Sequence, residues 1–170
     1  GGAVAATRPP VHAAREQRLN FDGLAEGPLP AGHFEQAGVR IAQGNGAPGI
    51  YASGPNMVLP AGRSKVLLLA GGRTTALTLG FDTPIKRFDL TRIGTAGGAS
   101  VPTWTLKAFD RAGKLVDSTG EAHGVPSRPQ KFSVDGADIV RVELRTDNRN
   151  GESTWATWNS LPVAEFAFER

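Results

Sequence analysis

Leu19-Asn20-Phe21-Asp22-Gly23-Leu24 is the stretch on which the fold turns. Leu19 and Phe21 alternate with Asn20 and Asp22, the period of two expected of a strand with one buried face. Gly23 ends the run, and Gly27-Pro28-Leu29-Pro30 follows as a turn-rich connection. The closing segment Pro162–Phe168 repeats the pattern: Phe166 and Phe168 alternate with Glu165 and Ala167. Two such segments predict that the first and last strands pair.

Between them the chain reads as about ten to twelve short strands separated by turn signals, the spacing of an all-β sandwich. Gly38–Gln43 places Val39 and Ile41 on one face. Lys65–Ala70 contains a continuous apolar run, Val66–Ala70, and suits a strand covered on both faces. Thr75–Phe81 turns Leu77, Leu79 and Phe81 inward, and Ile85–Ile93 turns Phe88 and Leu90 inward. Thr103–Phe109 and Lys114–Ser118 flank Asp110-Arg111-Ala112-Gly113, a hairpin signal in which Gly113 takes the left-handed conformation. Lys131–Val134 and Ile139–Arg145 complete the set. The expected architecture is two antiparallel sheets in a jelly roll, with Phe21, Leu106, Val142 and Phe166 among the core residues.

Composition narrows the classes. The 170 residues include 22 Gly and 12 Pro, which suit a fold rich in turns, and no Cys. Disulfides, Cys-ligated zinc and thiol catalysis are therefore out. The longest apolar run, Val66–Ala70, falls far short of the ~20 residues that span a bilayer. The net charge of +3 comes from dispersed arginines without interleaved aromatics, a poor footprint for nucleic acid. Residues 1–17 carry no sustained period and read as a flexible lead-in, with a short helix over Val11–Gln17, ahead of one sandwich domain over 18–170. The Ala/Gly-rich opening looks like the linker left behind a removed export signal, which predicts a periplasmic or extracellular location.

Chemical motifs are sparse. Gly44-Asn45-Gly46-Ala47-Pro48-Gly49 has the spacing of a dinucleotide loop, but a strand-like Ile50-Tyr51 follows where a helix is required, so it reads as a loose loop. Asp147–Glu152 resembles a calcium loop, yet Arg149 interrupts the acids and Gly151 arrives one residue early. His12, His33 and His123 stand apart, and no Gly-x-Ser-x-Gly elbow occurs. No nucleophile-and-base pattern points to an enzyme.

Two constellations remain. Trp155, in the polar loop before the last strand, has Asn150 and Glu152 close by, and an indole with hydrogen-bonding neighbours suits a sugar ring. Trp158 and Trp104 read as core. Asp22 and Glu165 fall on one side of the paired first and last strands. Two facing carboxylates need a cation, an arginine or a proton between them. Calcium fits such an edge, and so does an arginine-paired surface.

Phe21-Asp22-Gly23-Leu24, Gly38-Val39-Arg40-Ile41, Phe109–Val116 and Pro162–Phe168 together resemble exported bacterial jelly-roll domains of the galactose-binding-like and carbohydrate-binding-module type. The resemblance runs from Leu19 to Phe168. It implies a non-catalytic binding module for a polysaccharide or glycan, with a structural Ca2+ at Asp22 and Glu165. Ala164, where a second acid is common, departs from the pattern. Two other functions stay open: a structural or adhesive surface module that contacts protein, and an enzyme with an unrecognised site.

Overall fold

A computed structural model describes residues 16–45, 47–70, 74–147 and 161–170. The described strands are β1 (Glu16–Asn20), β2 (Gly27–Pro28), β3 (Val39–Asn45), β4 (Ala47–Ala52), β5 (Met57–Val58), β6 (Lys65–Ala70), β7 (Thr74–Arg92), β8 (Gly94–Thr95), β9 (Thr103–Phe109), β10 (Leu115–Glu121), β11 (Gln130–Asp147) and β12 (Val163–Glu169). One five-residue helix, α1 (Ala31–Glu35), follows Pro30 and buries Phe34. The turn that follows it ends at Gly38, whose φ of 76° is open to glycine at little cost.

All strand pairs are antiparallel, and two long strands serve both layers. The N-terminal half of β7 lies between β3 and the C-terminal half of β11, which in turn pairs with β9; β10 completes this first layer. The C-terminal half of β7 lies between the N-terminal half of β11 and β12. Beyond β12 come β1, β6, β4 and β2, which make the second layer. The register of β11 shifts between Asp135 and Arg141, where the strand crosses from one layer to the other. The result is an all-β sandwich.

Alternation explains the packing. Phe21, Leu77, Leu79, Phe88, Leu90, Leu106, Val142 and Phe166 are all buried in the central cluster. In β6, Leu67 faces that cluster, while Val66 and Leu68 face a second one with Ile93, Ala99, Val101 and Ala164. That double cover is why the segment reads as a continuous apolar run. Leu19 stands opposite Phe166 and Asn20 opposite Glu165, so the first and last strands do pair. The turn before β10 forms as expected: Asp110 caps Ala112 and Lys114 through its carboxylate, and Gly113 has φ of 79°.

Several expectations are corrected. Strand β1 begins at Glu16 and ends at Asn20, so Glu16 and Gln17 are neither lead-in nor helix, and Phe21–Leu24 forms a turn. Thr75–Phe81 and Ile85–Ile93 are one strand through Pro84, and the two C-terminal runs are also one. Gly44 and Asn45 belong to β3, and Ala47, Pro48 and Gly49 to β4, instead of forming a loose loop. Ile41 shares the face of Val39 but is 39% exposed, at a strand that among the described residues is the outermost of its layer.

Candidate functional site

Asp22 and Glu165 are brought to one place, and the cation between them is Arg63. Asp22 sits in the turn after β1. Its Oδ1 accepts the backbone N–H of Ser64 at 2.9 Å and of Lys65 at 3.2 Å. Its Oδ2 accepts Arg63 Nη1 at 3.1 Å, and Arg63 Nη2 lies 3.9 Å from Glu165 Oε2. Lys65 Nζ donates to the Leu24 carbonyl. Partial desolvation pushes the Asp22 carboxyl up, but the Ser64 and Lys65 amides and the guanidinium outweigh it and hold the group below the usual carboxylate value. Among the described residues, no three His, Cys, Asp or Glu cluster as a metal site. The arrangement acts as a clasp that fastens the Phe21–Leu24 turn to the entrance of β6.

Trp155, Asn150 and Glu152 lie outside the described residues, as do Trp158 and His12. Trp104 is core, at 1% exposure.

The feature that sequence reasoning missed lies where β7, β9, β10 and β11 meet. Arg92, the last residue of β7, is 2% exposed, an unusual place for a guanidinium. Its Nε and Nη2 reach the two carboxylate oxygens of Glu121 at 2.5 and 3.0 Å. Nη2 also donates to Gln130 Oε1 at 3.3 Å, and Nη1 donates to the carbonyls of Ile93 and Arg128 at 3.0 and 2.9 Å. These five bonds use all five donors that arginine has. Trp104 Nε1 donates to Glu121 Oε1 at 3.0 Å, and Phe132 meets the indole edge-on at 4.9 Å. No local signal in the sequence joins Arg92 to Glu121, because long-range strand pairing brings them together.

Along the β9–β10 hairpin runs a shallow, open groove of about 390 Å³, lined by Thr103–Thr105 and Ser118–Ala122. Most of its surface is carbon. Gly120 stands opposite Thr105, and a Cβ there would strike the Trp104 carbonyl, so the wall is bare backbone at that point. Thr103 Oγ1 accepts the His123 amide at 3.0 Å, whereas the hydroxyls of Thr105 and Ser118, which share the outward face, make no hydrogen bond within the described residues. Glu121 stands opposite inward-facing Trp104, and both of its oxygens are committed to Arg92 and Trp104 on the interior side. The groove therefore offers hydroxyls, backbone and carbon surface. It offers no unengaged carboxylate that would act as an acid or base. At one end, Thr103 pairs with Asp147, after which the described part of β11 stops.

No family model matches the chain, and no curated protein matches it. Solved structures of similar course exist. A fucose-binding module of Streptococcus pneumoniae is 10% identical, with a TM-score of 0.43 over 62% of this chain and 72% of that one. The CBM51-2 and INT domains of ZmpB from Clostridium perfringens, in complex with GlcNAc, are 12% identical with a TM-score of 0.46, over 91% of this chain but 32% of that structure. A mutant of a family 29 carbohydrate-binding module is 10% identical with a TM-score of 0.42, over 91% of each chain. Likeness at this level carries no ligand and no residue over to this chain.

Proposed function

We propose that this chain is a non-catalytic module that binds a carbohydrate along the β9–β10 groove. The observation that carries the reading is the lining: unengaged hydroxyls on outward-facing Thr105 and Ser118 beside a mostly carbon surface, with Glu121 turned inward into an ion pair. A sugar presents hydroxyls on its rim and C–H groups on its faces, so it needs both kinds of surface. Trp155, with Asn150 and Glu152, belongs to the same proposal. Its support is the sequence: an indole with hydrogen-bonding residues close by in the chain suits a sugar ring. A polymeric glycan partner fits an exported protein.

The test is retardation in native gels cast with a broad panel of neutral and acidic polysaccharides. Retardation by at least one of them is expected, weakened by Thr105→Val with Ser118→Ala and by Trp155→Ala while the thermal melt holds. A protein that migrates unretarded through every gel is not a carbohydrate-binding module.

A further inference from the structure

We infer that the groove is built for an acidic glycan, one whose sugar units carry a carboxylate or sulfate; this rests on the groove's being a glycan site. The argument comes from the outer face of the first layer. Inward-facing Trp104, Leu106 and Ala108 alternate with outward-facing Thr105 and Lys107. Register sets Thr105 between Gly120 and Arg145, and Lys107 between Ser118 and Glu143. Lys107 and Arg145 therefore stand diagonally across two adjacent strands, beside the wall that Thr105, Ser118 and Gly120 form. Both are exposed.

Neither cation is spent on the protein itself. Glu143, the cross-strand neighbour of Lys107, turns to Arg141 at 3.7 Å, and Arg141 lies over the Phe109 ring at 4.4 Å. Arg40, farther across the face, is held by Asp82 at 2.9 Å. Among the described residues, Lys107 and Arg145 take part in no ion pair. Within the groove the ion pair between Glu121 and Arg92 cancels its own charge. What the groove presents to a ligand is thus two hydroxyls and bare backbone, flanked by two positive charges that no described residue pairs. Such charges on a rim attract an anion and bind it through charge-assisted hydrogen bonds, with the arginine able to grip a carboxylate or sulfate in two places.

The experiment compares gels that contain polygalacturonate, alginate or chondroitin sulfate with gels that contain methyl-esterified pectin, xylan or mannan. Esterified pectin has the backbone of polygalacturonate without most of its charge. We expect retardation by at least one acidic polymer to exceed that by the neutral ones, to fall with added salt, and to weaken about tenfold in apparent affinity for Lys107→Ala with Arg145→Ala. Polygalacturonate and alginate report the carboxylate, and chondroitin sulfate adds the sulfate. A charge-matched control, Lys86→Ala with Lys131→Ala, removes two exposed lysines elsewhere on the sandwich. If this control weakens binding equally, the attraction is that of any basic protein for a polyanion and the inference fails. If the esterified polymer binds as well as polygalacturonate, the inference fails while the glycan reading stands. Binding to no polymer removes both.

Discussion

The two ends of the sandwich interior are closed by opposite means. Around α1, β7 and β12 the seal is aromatic. Phe166 packs within 6.2 Å of Phe21 and of Phe34 and within 5.4 Å of Phe88, and Phe81 packs at 5.3 Å from Phe168. At the other end the plug is a guanidinium with a full set of acceptors, stacked at 5.4 Å on Phe132. Aromatic burial gains free energy in proportion to area and asks little of geometry. A buried ion pair must first offset the loss of hydration, and its net worth lies near zero unless every donor is met. The first end is therefore where stability resides. The second fixes the position of the hairpin that carries the groove.

The largest effect that sharpens this contrast is Phe166→Ala, expected to cost ~3–5 kcal/mol in urea melts because it opens a cavity that three rings cannot refill. A loss under ~1 kcal/mol would dissolve the distinction between the ends. Next comes Arg92→Ala, which strands Glu121 and removes the plug, at about 3 kcal/mol, the low side for a broken buried pair because Glu121 is 25% exposed. Replacing both partners, Arg92→Met with Glu121→Met, should return stability to within about 1 kcal/mol of the parent. If the double replacement is as damaging as the single, the polar end is a stability element after all.

Smaller effects attach to the clasp. The Asp22 carboxyl is held below its ordinary 3.8, so its contribution is complete above that pH and disappears as pH falls through the lowered folded value. Asp22→Asn should cost about 1–2 kcal/mol near neutrality and flatten the acid limb of a plot of Tm against pH. An identical acid limb in both proteins would show that the hydrogen bonds at Oδ1 and Oδ2 add nothing. The smallest expected effect is that of calcium. With both Asp22 oxygens taken and Arg63 between the acids, chelator and millimolar calcium should leave Tm where it is. A calcium-dependent rise that Asp22→Ala abolishes would favour the calcium alternative over the arginine pairing at this edge.

What the sequence made legible was what strand period and turn chemistry govern: the inward residues of β7, β9 and β12, the Asp110–Gly113 turn and the pairing of β1 with β12. Strand limits were less legible. Asn20-Phe21-Asp22 continues the alternation, yet the chain turns there because Asp22 finds donors on Ser64 and Lys65, some forty residues on. Pro84 and Gly136 look like breakers, but in a strand that changes layers they sit at the bend, where a missing amide or side chain is tolerated. The candidate site was the least legible. Arg92 and Glu121 carry no motif, and Lys107 and Arg145 look like ordinary solvated charges until register places them beside Thr105 and Ser118. The acids at 22 and 165 were rightly brought together, but Arg63, which joins them, gave no sign of itself.

The register of β1 on β12 has a mechanical consequence. Glu16 faces Glu169 at one end of the ladder, and Asn20 faces Glu165 at the other. Tension applied between Glu16 and Glu169 therefore falls on the first rung alone, and the rungs open in sequence like a zipper, since antiparallel hydrogen bonds lie perpendicular to the strands. Five residues peel in this way while β12 stays seated on β7. The load then reaches Phe21 and the Asp22–Arg63 clasp, where the chain is buried and tied sideways. Under traction the domain would lengthen by one short strand, and give up only Leu19 from its core, before the rest of the core felt the force, in the manner of a fuse.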